Sequence, residues 1–263
     1  MKIAKYKKER DKYILYLDNG EMIKTYEDII LKYNLLFNKD IDGNFLDKIE
    51  KENLYYEVYH NLQKMIGRKL RSEKWVRDYL KSIKDFNEKM KKELISSLKV
   101  GGFINDERYA LAYTNDKINL SLDGPNKIIK DLHKENIDNK TVEDVMKIFT
   151  PDILEERISK IINKKCRENK RYTGFVLKTR ISNYLMKMGY SLDDINAYEH
   201  LITFDSSIIS KEFEKMYKKY SKKLKGDELF KKIRQSLYTC GISGDEINAL
   251  IDEKRLEEES KNC

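Results

Sequence analysis

Leu98 to Leu132 reads LKVGGFINDERYALAYTNDKINLSLDGPNKIIKDL, and it holds two points where one helix must stop and another must start. Gly101-Gly102 ends a helix, because glycine takes the left-handed C-cap conformation without steric cost. Asn105-Asp106 then offers N-cap oxygens for the next helix. On that helix Tyr109, Ala112, Tyr113 and Leu120 fall along one stripe, which is expected to face inward. Asp123-Gly124-Pro125 opens a third helix, with proline in the first turn where its missing N–H costs little. Ile128, Ile129 and Leu132 are the inward positions of that helix.

The same plan recurs. Val76 and Leu80 stand four apart, as do Ile128 and Leu132, Ile181 and Leu185, and Ile233 and Leu237, at steps of 52, 53 and 52 residues. Four positions after each leucine come Lys84, Asn136, Gly189 and Gly241, where a helix should stop. A third helix follows in each unit, with apolar anchors Met90, Val142, Ile195 and Ile247 at the same steps. Ser191-x-x-Asp194 and Ser243-x-x-Glu246 resemble capping boxes at equivalent places, and Asp138 takes that slot one unit earlier. The turn signals before the second helices are Arg71-Ser72, Asp123-Gly124-Pro125, Thr173-Gly174 and Gly226-Asp227. Modules of this size bury only part of their apolar faces alone and stack on their neighbours. The expected fold is mainly α: tandem three-helix modules at 52–104, 105–150, 151–204 and 205–254, stacked into an elongated curved body. Residues 255–263 are expected to form an acidic, frayed tail.

The N-terminus has a different period. Tyr13 to Leu17 and Met22 to Thr25 flank Asp18-Asn19-Gly20, a strong hairpin signal that predicts a type I′ turn with positive φ at Asn19 and Gly20. Ile3 to Tyr6 adds a third strand across a turn at Glu9 to Lys12, and Tyr26 to Leu36 reads as a helix. Residues 1–43 are therefore expected to form a small β-meander with a helix, separable from the body, with a linker at Asp40 to Asn44.

Composition bounds the function. The 263 residues are 40% hydrophobic and 37% charged, which favours many modest interfaces over one thick centre. Two prolines and 11 glycines suit a helical chain. Cys166, Cys240 and Cys263 are too few and too scattered for a disulfide frame, pointing to a reducing, cytoplasmic setting. No apolar run nears the ~20 residues a spanning helix needs, and no signal peptide is apparent. His60, His133 and His200 lie far apart, and no phosphate-binding glycine loop or nucleophile elbow occurs. No enzyme, metal site or cofactor is expected.

Lys+Arg number 53 against 45 Asp+Glu, a net +8 that permits a polyanionic partner. The excess is uneven. Arg157 to Arg180 holds nine basic residues (Arg157, Lys160, Lys164, Lys165, Arg167, Lys170, Arg171, Lys178 and Arg180) and one acid, Glu168. Lys211 to Arg234 holds ten basic and four acidic residues, Lys64 to Lys81 seven and two, while Asp106 to Lys134 is balanced at five and five. Single charge runs are usually solvated helix faces, but three at matching places would form a stripe suited to phosphate backbones. The candidate contacts are Arg68, Lys69 and Arg71; Lys164, Lys165, Arg167, Lys170, Arg171, Lys178 and Arg180; and Lys218, Lys219, Lys222 and Lys223. Trp75 adjoins Val76 and Tyr79 at helical spacing, so it reads as packing and not as a base-stacking platform.

Gly102-Phe103-Ile104-Asn105-Asp106-Glu107-Arg108-Tyr109-Ala110, followed by Gly124-Pro125 and a helix ending in Asp131-Leu132, resembles the signature of the RecX family. So does Arg71-Ser72-Glu73 with Val76, Arg77 and Leu80, and the leading β segment resembles the extension on longer RecX proteins of low-GC Gram-positive bacteria. Asn105 stands in place of the usual first Asp of an Asp-Asp pair, and Glu135-Asn136 in place of a usual Lys-Gly; both are cap positions where Asn serves. The resemblance implies a regulator of the RecA recombinase, a clamp along the groove of the RecA–single-stranded-DNA filament, and the chain is expected to be a monomer. Such a regulator damps ATP hydrolysis, strand exchange and co-protease activity in recombination, DNA repair and the SOS response. It also implies that Tyr109, Ala110 and Leu132 hold modules together. The alternative is a general nucleic-acid-binding helical repeat without a specific protein target.

Overall fold

The computed structural model describes residues 1–36 and 41–262. Strands β1 (Ile3–Glu9), β2 (Lys12–Leu17) and β3 (Met22–Tyr26) form an antiparallel sheet in that order. Period-2 alternation sends Leu15 and Leu17 to one face, where they join Ile3, Ile29 and Ile30 of helix α1 (Glu27–Tyr33) and Ile49 of helix α2 (Gly43–Arg68). The β2–β3 turn is not of the expected type: of Asn19 and Gly20 only Gly20 has positive φ, at 89°. Gly20 N donates to Leu17 O at 3.1 Å and Leu17 N to Glu21 O at 2.9 Å, so the extra residue is absorbed as a bulge. Gly43 and Asn44, read above as linker, open α2, with the Asp42 carboxylate accepting from Phe45 N at 2.7 Å. Asp40 lies outside the described residues. One helix thus feeds two cores, Ile49 under the sheet and Val58, Leu62 and Ile66 in the first helical module.

The modules follow in threes: α2, α3 (Glu73–Lys81) and α4 (Glu88–Val100); α5 (Asp106–Leu120), α6 (Pro125–Lys134) and α7 (Asn139–Met146). Then come α8 (Pro151–Glu168), α9 (Gly174–Met188) and α10 (Leu192–Tyr198), and last α11 (Ser207–Tyr220), α12 (Gly226–Tyr238) and α13 (Gly244–Asn262). None of the eight repeating positions from Val76 to Leu237 is more than 3% exposed. Asn136, Gly189 and Gly241 have φ of 57°, 95° and 93°, as their places after the second helices require. In the first module the left-handed residue is Asp85, one place beyond Lys84. Val142, Ile195 and Ile247 are buried anchors, whereas Met90 is half-buried because Leu94, Ile95 and Leu98 fill that core. Both expected capping boxes close: Ser191 N meets the Asp194 carboxylate at 3.2 Å, and Ser243 N meets that of Glu246 at 2.9 Å.

Two further expectations are corrected. Leu120 is 83% exposed, and the inward row of α5 runs through Ala110 and Thr114, both fully buried. At 100° per residue Leu120 stands roughly 120° round the helix from Thr114. The supposed tail is helical to Asn262: Ile251 is buried, Lys254 Nζ lies 3.2 Å from Glu214, and Arg255 lies 2.7 Å from Asp227.

The chain divides into two compact units, one of residues up to Ala112 with Lys134–Asp138, the other of Tyr113–His133 with the residues from Asn139 onward. Within the second, successive modules meet backbone to backbone. Gly124 N donates to Met188 O at 2.6 Å and Asn126 N to Gly189 O at 2.9 Å; one module on, Thr173 N donates to Cys240 O at 2.8 Å. Within the first, Ser72 caps α3 and its hydroxyl donates to Glu135. In all three joints the start of one module's second helix meets the end of the next module's second helix.

Candidate functional site

The basic run of the third module is displayed by a held turn. Thr150 and Pro151 start α8, and Ile158, Ile161 and Ile162 anchor its inner face. Beyond its end, the Asn169 side chain accepts from Tyr172 N at 3.0 Å and donates to Tyr172 O at 2.7 Å. This closes the turn that brings Thr173 to its joint with Cys240. The charged residues between are therefore pinned at both ends.

Two grooves flank this turn. One, of about 740 Å³, is walled by Arg167 and Lys170 on one side and by Phe204, Asp205 and Lys211 on the other. Three cations face one acid there, and hydrogen bonds from Ser207 hold the Asp205 carboxyl below its ordinary pKa, so it is ionised at neutral pH. The other, of about 300 Å³, is walled by Lys165, Lys170, Arg171 and Arg180 with Tyr172 and Tyr184. Arg180 lies 4.1 Å and Arg171 5.5 Å from the Tyr172 ring centre, and Lys165 lies 4.4 Å from that of Tyr184. These contacts align the cations while leaving their outer edges to solvent.

The other expected residues are placed as follows. Lys164 and Lys170 are exposed, as is Arg167, whose Nε donates to Asn163 O. Lys178 is half-buried, 3.7 Å from Glu199. Lys218, Lys219, Lys222 and Lys223 are exposed about the end of α11 and line neither groove. Arg68 and Lys69 are exposed at the end of α2, and Arg71 lies 4.2 Å over the ring of Trp75, which stacks on Tyr79 in the first-module core. These three belong to the other compact unit.

Arg157, counted above among the nine, is no part of a surface stripe. It is 5% exposed and donates to the carbonyls of Ile118 at 2.6 Å and of Ser121 and Asp123 at 3.0 Å. It ties off the end of α5. Beside it Asp123 is also buried, 2.8 Å from Lys117 and 2.6 Å from Lys127. Burial pushes its carboxyl up, but the two ammonium groups outweigh that and hold it below the ordinary value. Lys211 and Phe204 are groove residues that sequence reasoning did not single out. They reach the groove because the fourth module's first helix starts beside the third module's turn.

The histidines have local partners or none of chemical note. His60 lies 3.2 Å from both Asp28 and Gln63, His200 bonds Ala197 O, and His133 is exposed at the end of α6. Among the described residues no three His, Cys, Asp or Glu side chains gather as a metal site, and no helix is long and apolar enough to cross a membrane.

No family model matches the chain. It is 24% identical over 268 residues to a protein of Oceanobacillus iheyensis named "Regulatory protein RecX", covering 98% of each. It is 29% identical over 266 residues to one of the same name from Streptococcus pneumoniae, covering 96% of this chain and 99% of the relative. A crystal structure of a regulatory protein RecX superposes with a TM-score of 0.66 at 24% identity, over 76% of this chain and 98% of that one. That of RecX from Lactobacillus salivarius does so at 0.52 and 26%, over 61% and 97%. End-to-end similarity to relatives of matching length, together with the shared fold, supports membership of the RecX family of regulatory proteins.

Proposed function

We propose that this chain regulates the RecA recombinase by binding its filament on single-stranded DNA and inhibiting ATP hydrolysis, and with it strand exchange and co-protease activity. The observation that carries the reading is the cluster of Arg167, Lys170 and Lys211 around an open groove with Asp205 as its one acid. Such a groove accepts a phosphate backbone or an acidic protein surface, and the filament presents both. Residues Lys164, Lys165, Arg171 and Arg180 extend the contact, with Arg68, Lys69 and Arg71 and the Lys218 to Lys223 cluster as secondary contacts. The chain acts as a monomer without cofactor. Ordered addition separates this reading from general nucleic-acid binding: a filament regulator binds preformed filament more tightly than naked strand and slows its ATP hydrolysis. Equal affinity for both, with hydrolysis unaffected, favours the general binder.

A further inference from the structure

The N-terminal sheet has a second face, away from its core. Cross-strand register lays three rows over it: Lys5, Tyr16 and Met22; Lys7, Ile14 and Lys24; Glu9, Lys12 and Tyr26. Four of these nine are lysines, and the one acid, Glu9, is spent on Lys7 at 2.8 Å. The alternate residues Leu15, Leu17 and Ile23 point to the opposite side and pack on α1 and α2.

The lysines lie along this face instead of standing off it. Lys5 Nζ is 4.7 Å from the Tyr16 ring centre, and Lys12 Nζ is 4.6 Å from that of Tyr26. Ile14, between Lys7 and Lys24 in the middle row, is only 7% exposed. Met22, beside Tyr16, is 66% exposed. Tyr26 is 5% exposed and its ring packs beside Tyr56 and His60 of α2, so the apolar surface open on this face is Tyr16 and Met22, flanked by Lys5, Lys7 and Lys24. The rows lie about 6.8 Å apart, two strand residues. The basic surface continues toward the first module: Lys64 of α2 pairs with Asp11 in the β1–β2 turn at 3.6 Å, one helical turn before Arg68.

An acidic peptide could match the ammonium groups but would leave Tyr16 and Met22 without a flat partner. A single-stranded nucleic acid supplies regularly spaced phosphates and planar bases that stack on any aromatic or thioether surface. We propose that this sheet face binds single-stranded nucleic acid, with phosphates held by Lys5, Lys7 and Lys24 and a base packed on Tyr16 and Met22. The surface is separate from the third-module grooves and independent of the recombinase reading.

The test uses the full-length chain, a fluorescent oligothymidine and no recombinase, so failure of the ATP-hydrolysis experiment leaves it intact. Anisotropy is followed over a salt series for the parent and for K5E/K7E/K24E. The expected result is at least roughly tenfold weaker binding and a log–log salt slope smaller in magnitude by about 2, since each phosphate left without its lysine takes about 0.7 from the slope. Circular dichroism and melting should match the parent. If the triple reversal does not fold, K5Q/K7Q/K24Q is read in the same way. Unchanged affinity and slope in a folded variant overturn the proposal. So does a parent that binds anionic phospholipid vesicles but not the oligonucleotide.

Discussion

Gly124 and Gly189 approach so closely that a Cβ on Gly124 would stand 2.5 Å from the Gly189 carbonyl carbon. A Cβ on Gly189 would likewise stand 2.5 Å from the Lys127 Cβ, at a φ of 95° that side chains rarely adopt. The second module is joined to the third through bare backbone, with Gly124 N on Met188 O. Gly124→Ala should therefore cost about 1–3 kcal/mol, the usual penalty of overpacking. Denaturant melts check it. A midpoint equal to the parent's would mean that the joint opens without cost.

Leu132 is fully buried at the second repeat position. Leu132→Ala should destabilise by about 2–5 kcal/mol through forfeited transfer energy and a residual cavity. An equilibrium midpoint within error of the parent's would remove the repeat argument at that position.

The Asp123 carboxyl sits below its ordinary value in the folded state, so its ionised form favours folding. That contribution is fully present above the unfolded value, about 3.9, and is lost as pH falls through the lower folded value. Asp123→Asn should be less stable than the parent at pH 7 and should lose less on acidification below about pH 4. Parallel stability curves for the two chains across that window would show that the Lys117–Asp123–Lys127 cluster contributes nothing to acid sensitivity.

A chain beginning at Asn53 keeps Val58, Leu62 and Ile66 for the first-module core and gives up Ile49 together with the sheet. It should remain helical and melt cooperatively, at a lower temperature, since the Tyr26 ring that packs beside Tyr56 and His60 goes with the sheet. Aggregation or a broad transition would show that the extension and the helical body are one folding unit.

The four-module plan was legible because a buried i, i+4 pair repeated at nearly constant spacing is a burial pattern, and burial is what the sequence encodes most redundantly. The joints were not. Gly124 and Gly189 read as a helix start and a helix stop, and nothing in either signal says that the two meet. Arg157 misled for a related reason: a count of charges cannot show that one guanidinium turns inward to backbone carbonyls. Leu120 misled because the stripe on α5 was drawn through its large residues, whereas close packing chose Ala110 and Thr114. The basic character of the third module was visible. The grooves were not, since Lys211 and Phe204 arrive from the next module.

The third-module grooves are proposed to contact the filament, and the structure chooses the variant that tests it. Arg171 lies 3.9 Å from the buried Glu212, so reversing it would place like charges together and lower the melting temperature. Lys164, Arg167 and Lys170 are exposed, and their reversal should leave folding nearly unchanged. The decisive measurement is ATP hydrolysis by RecA on single-stranded DNA, titrated with the parent and with K164E/R167E/K170E. The parent should inhibit, and the folded variant should need roughly tenfold more protein or worse for half-inhibition, with a weaker salt dependence. A variant that melts with the parent and inhibits as well as the parent would contradict it.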